Sequence, residues 1–307
     1  MPLPTSPCER SGLRGQSRTA EPESARPPST TLGGERIREA LGALGRHPRK
    51  ALGQHFLAQP AIAHRMAELA AVNGKHVVEI GPGLGVLTQF LLEARHLWLI
   101  EIDADFAARL QDLLREAGNV TVVASDALAL DWRKFLAEHA PVTIVGNLPY
   151  NIATALLERW LDAPVLPERI VVMVQYEVAE RLHARPRSKS YSALSVLTQA
   201  VARVRKGFTV APGAFVPPPK VHSQVVVIEP DEALRPRAGD FATLRRIVRT
   251  LFYQRRKQLR NSLAQLTLEP ESVLEQTGLD PRCRAEELAV EDFLRLAAAL
   301  SHHAGAA

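Results

Sequence analysis

The stretch VVEIGPGLGVLTQFL, Val77 to Leu91, decides how the rest of the chain is read. A β-prone run, HVVEI (76–80), enters a turn with glycine at 81, 83 and 85, and an apolar-periodic segment, read as a helix over 86–94, leaves it. Glycines at such a junction let the backbone turn tightly and let a ligand approach the main chain. The same strand–helix alternation extends outward. Helical periodicity covers 61–71, 105–116, 152–162 and 176–183. Short apolar runs at 96–100 (HLWLI), 120–123 (VTVV), 141–145 (PVTIV), 170–174 (IVVMV) and 224–229 (QVVVIE) read as strands. That order predicts a mostly parallel sheet with helices on both faces, an α/β domain over 47–231. The polar, proline-bearing DEALRPRAGD (231–240) reads as a linker. Beyond it only helical periodicity remains, at 240–252, 255–265, 270–277 and 291–301, so 232–307 is expected to be a small all-helical domain.

The first 33 residues or so are rich in Pro, Ser, Gly, Thr and Arg and are expected to be disordered, with a short helix over 35–44. The chain has 307 residues, 46% hydrophobic and 23% charged, which are globular values. Its net charge of +5 and pI of about 9.5 permit a nucleic-acid partner without requiring one. Two cysteines, Cys8 and Cys283, make no metal-binding pair and no disulfide framework, so a reducing cytoplasm is the natural expectation. No apolar run approaches the roughly 18 residues of a membrane span, and no secretory core precedes the fold. Nothing in the sequence calls for an obligate dimer, so a monomer is expected.

The glycine turn is spaced GxGxG rather than the GxGxxG of dinucleotide folds. Twenty residues after Gly81, Glu101 ends the next strand, where a carboxylate can accept hydrogen bonds from both hydroxyls of a ribose. The following strand ends in Ser125-Asp126, and Asp126 can accept from an adenine amino group. The plain alternative is a βα turn beside solvent-facing acids. Three strand ends delivering Gly, Glu and Asp in order favour a nucleoside. There is no Walker sequence and no Lys or Arg in the turn, so a phosphate-bearing nucleotide is disfavoured. S-adenosyl-L-methionine, which lacks phosphate and carries a positive sulfonium, fits best. No metal is expected.

The fourth strand ends in GNLPY (146–150). It is either a turn or a device for holding a base. In the second reading the Asn147 side-chain oxygen and the Leu148 carbonyl accept the two hydrogens of an adenine amino group. Their placement off the ring plane would favour a tetrahedral nitrogen, while Tyr150 stacks on the purine. Pro149 fixes the backbone so that the acceptors converge, and catalysis is mostly positioning. In GAFVPPPKVHSQVVVIE (213–229) three prolines stiffen a loop that either buries Phe215 or holds its ring opposite Tyr150. Lys220 meets a phosphate or is solvated. In RKALGQHFL (49–57), Gln54, His55 and Leu57 are candidates for a lid over the cofactor, although a lone histidine is more often structural. The segment LRRIVRTLFYQRRKQLRNSL (244–263) carries seven cations, among them Arg249, Arg255, Arg256, Lys257 and Arg260, and no acid. Such a run is either a solvated face or a phosphate contact, and the missing counter-charge favours the second.

Taken together, GQHFL, VEIGPGLGVLT, IEID, SDAL, GNLPYNI, MVQYEVAERL, KSYSALSV, FVPPPKVHS and LFYQRRKQLRNSL resemble the KsgA (RsmA) family of bacterial 16S ribosomal RNA adenine N6-dimethyltransferases. The resemblance covers about residues 47–300 and leaves 1–46 as an added extension. It implies a class I, Rossmann-like, S-adenosylmethionine-dependent methyltransferase domain with a helical C-terminal domain. It also implies dimethylation of two adjacent adenosines in a hairpin near the 3′ end of 16S rRNA, within an assembling 30S subunit. Carried over by motif, the cofactor contacts fall on His55, Leu57, Gly81, Gly83, Glu101, Asp126 and Asn147. The target base falls to Asn147, Leu148, Tyr150 and Phe215, and the basic C-terminal helix takes part in rRNA docking. Two positions depart from the pattern: His55 stands where many members have Asn, and Tyr176 where Lys is frequent. The rival readings are a 23S rRNA methyltransferase of the erythromycin-resistance type, a DNA adenine methyltransferase and a non-catalytic assembly factor.

Overall fold

A computed structural model of the chain describes residues 34–43, 45, 48, 53–234 and 240–304. The expected disorder of the first 33 residues, Cys8, the start of the 49–57 segment and part of the linker lie outside the described residues. Residues Leu32–Ala307 belong to one compact unit.

Seven strands form the main sheet: β2 (His76–Ile80), β3 (His96–Glu101), β4 (Val120–Ala124), β5 (Val142–Asn147), β6 (Arg169–Gln175), β7 (Ala202–Val210) and β9 (Ser223–Pro230). Their order is β4-β3-β2-β5-β6-β9-β7. Neighbours from β4 to β6 pair in parallel, and β9 runs antiparallel to both β6 and β7. The inner parallel strands β2, β5 and β6 are apolar on both sides because both faces are covered. Val78, Ile80, Ile144 and Val172 enter one core, and Val77, Val145, Val171 and Met173 the other. The chain leaves β2 toward β3 on one side and returns to β5 on the other. This reversal opens a crevice at the carboxyl ends of β2 and β5, the usual ligand position in such sheets.

The helices cover the faces. In α2 (Pro60–Ala70), Ala63, Met66, Ala67 and Ala70 form one buried stripe at helical spacing. Next come α3 (Ala104–Leu113), α4 (Trp132–His139), α5 (Ala153–Asp162), α6 (Tyr176–Leu182) and α7 (Ala193–Gln199). The expected helix over 86–94 is instead a string of tight turns around a short 3₁₀ segment, Thr88–Phe90. Its bonds run three residues back, as in Phe90 N–H to Leu87 carbonyl and Leu91 N–H to Thr88 carbonyl, both at 2.9 Å. That tighter path buries Leu84, Val86, Leu87 and Leu91 and turns the Thr88 hydroxyl inward. The strand β7 and the helices α4 and α7 were not among the expected elements.

Helix α1 (Gly34–Ala43) forms where one was expected, but as part of the core. Ile37 is fully buried and Leu41 nearly so, in the cluster that holds Phe56, Leu57 and Phe215. It borders a two-stranded ribbon, β1 (Phe56–Leu57) with β8 (Phe215–Val216), in which Phe56 faces Val216 and Leu57 faces Phe215.

The C-terminal helices are α8 (Phe241–Tyr253), α9 (Leu259–Leu263), α10 (Pro270–Thr277) and α11 (Val290–Ala304). Phe241, Leu244, Ile247, Val248 and Leu251 line one face of α8 and join the core cluster of α7 and the sheet. The change of pattern after Pro230 therefore marks a change of secondary structure within a continuous apolar core. No helix among the described residues is long and apolar enough to cross a membrane.

Candidate active site

The crevice is a cleft partly open to solvent at the carboxyl ends of the strands. Its lining comes from Gly53–Leu57, the glycine turn, and the ends of β3, β4 and β5. Among the described residues no Lys or Arg lines the cleft, whereas Glu79, Glu101 and Asp126 do.

The glycines divide the work. Gly81 has φ +65°, and a Cβ built there would meet nothing within 4 Å, so the main chain is open to a ligand. Gly83, at φ +55°, would place a Cβ 3.1 Å from the Phe56 ring, so its bareness lets the ribbon close down on the turn. The Gly83 N–H donates to Glu101 Oε2, and the Asp103 N–H to Glu101 Oε1, both at 2.9 Å. These bonds fix the carboxylate while leaving each oxygen further acceptor capacity. Burial holds the Glu101 carboxyl above its ordinary pKa despite both bonds. Asp126 sits at the mouth of the next strand, its Oδ1 accepting from the Leu128 N–H at 2.8 Å.

Glu79 is a second buried carboxyl in the lining, 2% exposed, which the sequence reading passed over. Thr88 Oγ1 donates to its Oε2 at 2.7 Å. Burial pushes its pKa up to about 8, with the Thr88 bond opposing and the Glu101 charge adding to the rise. The available signal was a charged residue inside HVVEI, an otherwise apolar strand with both faces covered.

Asn147 is the last residue of β5. Its Nδ2 donates to the His55 carbonyl at 2.9 Å. A carbonyl only accepts, so this bond fixes the amide's orientation and turns Oδ1 away from His55. Leu148 has its side chain in the core and its N–H on the Met173 carbonyl, at 3.1 Å. Among the described residues nothing donates to the Leu148 carbonyl. Gly146 allows this approach, since a Cβ there would lie 2.8 Å from the Ile80 carbonyl oxygen.

His55 joins three segments. Besides its carbonyl bond, its Nδ1 lies 2.8 Å from the Pro217 carbonyl, so Nδ1 carries the hydrogen. Its ring stacks on Tyr150, centroids 5.5 Å apart and planes at 28°. The Tyr150 hydroxyl is bonded to Ser223 Oγ at 2.7 Å, and burial raises its pKa.

The structure thus brings together His55, Leu57, Gly81, Gly83, Glu101, Asp126, Asn147, Leu148 and Tyr150 around one cleft. It does not bring Phe215 there. That ring is 2% exposed, outside the cleft lining and packed in the core. The ring facing Tyr150 is that of His55. Phe215 packs instead in the cluster that holds Ile37, Leu41 and Phe56.

The basic segment is also corrected. The helix expected over 255–265 begins only at Leu259, and Arg255, Arg256 and Lys257 occupy the turn between α8 and α9. Nor does it lack counter-charge. Arg245 pairs with Asp162, Arg249 with Glu158, Arg255 with Glu286 and Arg260 with Glu271. The partners come from α5, α10 and the turn before α11, too far along the chain to be seen as neighbours. Arg256, Lys257 and Lys220 are exposed with no ion pair among the described residues.

The model of the family described as "Ribosomal RNA adenine dimethylase" matches residues 45–302. A protein of Phenylobacterium zucineum named ribosomal RNA small subunit methyltransferase A is 43% identical over 263 residues, 85% of this chain and 91% of its own. Its namesake from Paramagnetospirillum magneticum is 45% identical over 269 residues, 86% and 94% of the two chains. Among solved structures, a dimethyladenosine transferase from Plasmodium falciparum is 26% identical with a TM-score of 0.69, covering 79% of this chain and 96% of its own. The 23S rRNA methyltransferase ErmE, also 26% identical, gives 0.58 over 80% and 99%. The match spans both the cleft and the C-terminal helices, and the chain belongs to the ribosomal RNA adenine dimethylase family.

Proposed function

We propose that the chain dimethylates N6 of two adjacent adenosines in a hairpin near the 3′ end of 16S rRNA, within an assembling 30S subunit in the cytoplasm. The methyl donor in this reading is S-adenosylmethionine. The observation that carries it is the Asn147 amide, held by the His55 carbonyl so that its oxygen is left to accept, beside the bare Leu148 carbonyl.

The cleft fits the cofactor. Three carboxyl groups and no cation suit a ligand with positive charge and no phosphate. Glu101 has acceptor capacity for ribose hydroxyls and Asp126 for the adenine amino group. The bare face of Gly81 lets the ligand reach the main chain. When bound, the cofactor supplies an electrophilic methyl on a sulfonium.

The protein's part is positioning. Asn147 Oδ1 and the Leu148 carbonyl accept the two hydrogens of the target amino group and leave the nitrogen lone pair for the methyl. As the N–C bond forms and the methyl–sulfur bond breaks, releasing a neutral thioether, the nitrogen would become cationic and give up one proton to solvent. The second transfer repeats this with one acceptor opposite the remaining hydrogen. Tyr150 stacks on the base, its ring held by the hydroxyl bond to Ser223. The order of magnitude available from such alignment is large, since a misplacement of about 1 Å can cost roughly 100-fold.

The test is labelled methyl transfer from S-adenosylmethionine to undermethylated 30S particles, with nucleoside analysis of the RNA. Dimethyladenosine confined to 16S rRNA is the expected product. Label in 23S rRNA instead would move the chain to the ErmE-like reading. Binding without incorporation would leave it an assembly factor.

A further inference from the structure

Tyr253 is 90% exposed at the last turn of α8, although its neighbour Phe252 packs against Tyr191 and Phe293. An aromatic ring held this far into solvent stabilises nothing in the fold. Two residues on, the chain enters the turn that carries Arg256 and Lys257, both exposed and without an ion pair among the described residues. The same turn rests on a second loop. The Arg255 guanidinium donates to the Lys189 carbonyl at 3.2 Å and pairs with Glu286, whose carbonyl accepts the Arg187 N–H at 2.7 Å. That second loop, 185–189, turns through Ser188 N–H to Arg185 carbonyl at 3.1 Å and leaves Arg185 and Lys189 exposed, again without ion pairs among the described residues. Four exposed cations without an ion pair among the described residues therefore sit on two joined segments next to the end of α8 that carries Tyr253, while the neighbouring Arg249, Arg255 and Arg260 are paired with acids.

We propose that Tyr253 is a stacking seat for an unpaired base of the substrate rRNA, with Arg256, Lys257, Arg185 and Lys189 holding the flanking phosphates. It deepens the functional reading above, on which it rests. Aromatic rings interleaved with cations suit single-stranded RNA, because every base has a face to stack and every nucleotide a phosphate to pair. The patch draws cations from both sides of residue 230. It would therefore hold RNA across the sheet domain and the C-terminal helices together, away from the cleft.

The experiment measures affinity for undermethylated 30S particles and for protein-free 16S rRNA over a range of salt. It uses the wild type, Tyr253→Ala, Tyr253→Phe and a Arg185→Glu/Lys189→Glu double variant. Because Tyr253 buries almost nothing, its variants should melt like the wild type. Tyr253→Ala is expected to bind both RNAs roughly 5- to 150-fold more weakly, the range of a lost base–aromatic stack, with Tyr253→Phe retaining affinity. The double variant should make the slope of log affinity against log salt shallower by roughly 1.5, two phosphate contacts' worth. If the wild type binds and methylates particles while Tyr253→Ala binds both RNAs unchanged, the seat is refuted and the functional reading stands. Equal losses in Tyr253→Phe refute stacking. A loss seen on particles but not on protein-free rRNA makes the partner a protein and also refutes it. A wild type that neither binds nor methylates small-subunit RNA overturns this surface together with the functional reading.

Discussion

Replacing Glu79 by Gln isolates the unusual carboxyl in the cleft. The side chain keeps its shape and can still accept from Thr88 Oγ1, now 2.7 Å away. What is lost is the titration. Glu79 in the folded chain holds its proton up to about pH 8, against an ordinary value of 4.5. Its stabilising contribution is therefore complete below pH 4.5, fades as the pH rises, and is gone above 8. At about 1.4 kcal/mol per pH unit, roughly 2 to 3 kcal/mol fades between about pH 5.5 and 7.5. The physical source is burial of a charge-bearing group beside Glu101. Glu101 is shifted in the same direction but is present in both proteins, so it largely cancels in the comparison. Urea unfolding of wild type and Glu79→Gln across that pH window is the assay. The variant should gain on the wild type by roughly 2 to 3 kcal/mol from the acid to the neutral end. Parallel stability curves would refute the assignment. A cationic cofactor entering the cleft would favour the ionised carboxylate, so binding to wild type should release a proton near neutral pH, and binding to the variant should not. Calorimetry in two buffers of different ionisation enthalpy reads that proton.

Two further expectations test the positioning of the base acceptors. Asn147→Ala should keep RNA affinity and lose methyl transfer by about 100-fold or more, since both the acceptor and its alignment go; single-turnover rates at saturating RNA would show this, and an unchanged rate would remove Asn147 from the chemistry. Gly146→Ala places a methyl 2.8 Å from the Ile80 carbonyl oxygen, in the parallel pairing of β2 with β5. Overpacking of this kind costs about 1–3 kcal/mol, readable as a lower urea midpoint, and a variant as stable as wild type would show that the two strands can part without penalty.

The alternation of apolar runs and helical periodicity was enough to place β2, β3, β5, β6 and β9, because strands buried on both faces are continuous apolar words in the sequence, and the half-exposed edge strand β4 was placed by its run of β-branched residues, VTVV. The glycine turn, Glu101, Asp126 and Asn147 were legible for a related reason. Each stands at a strand's carboxyl end, and in a parallel sheet those ends share one edge. Strand β7 was not legible: ARVRKGFTV carries Arg203, Arg205 and Lys206, whose charges are met by Asp231, Glu229 and Glu180 only after folding. The turns over 84–94 were missed because apolar spacing alone does not distinguish a helix from a chain of tight turns that buries the same side chains.

Local pattern in the sequence was enough for the parallel strands and for the glycines and acids at their carboxyl ends, since these follow from apolar runs and strand direction. Tertiary structure decided the rest. Packing against α1 and the ribbon put Phe215 in the core, and the bond from His55 to the Pro217 carbonyl holds the His55 ring beside Tyr150. The His55 carbonyl, 92 residues from Asn147, chose which face of the amide is left to accept. Acids on distant elements paired with Arg245, Arg249, Arg255 and Arg260 and left Arg256 and Lys257 without an ion pair among the described residues. Register, amide orientation and ion pairing each depend on a partner far along the chain, and such partners are brought within reach only when the core closes.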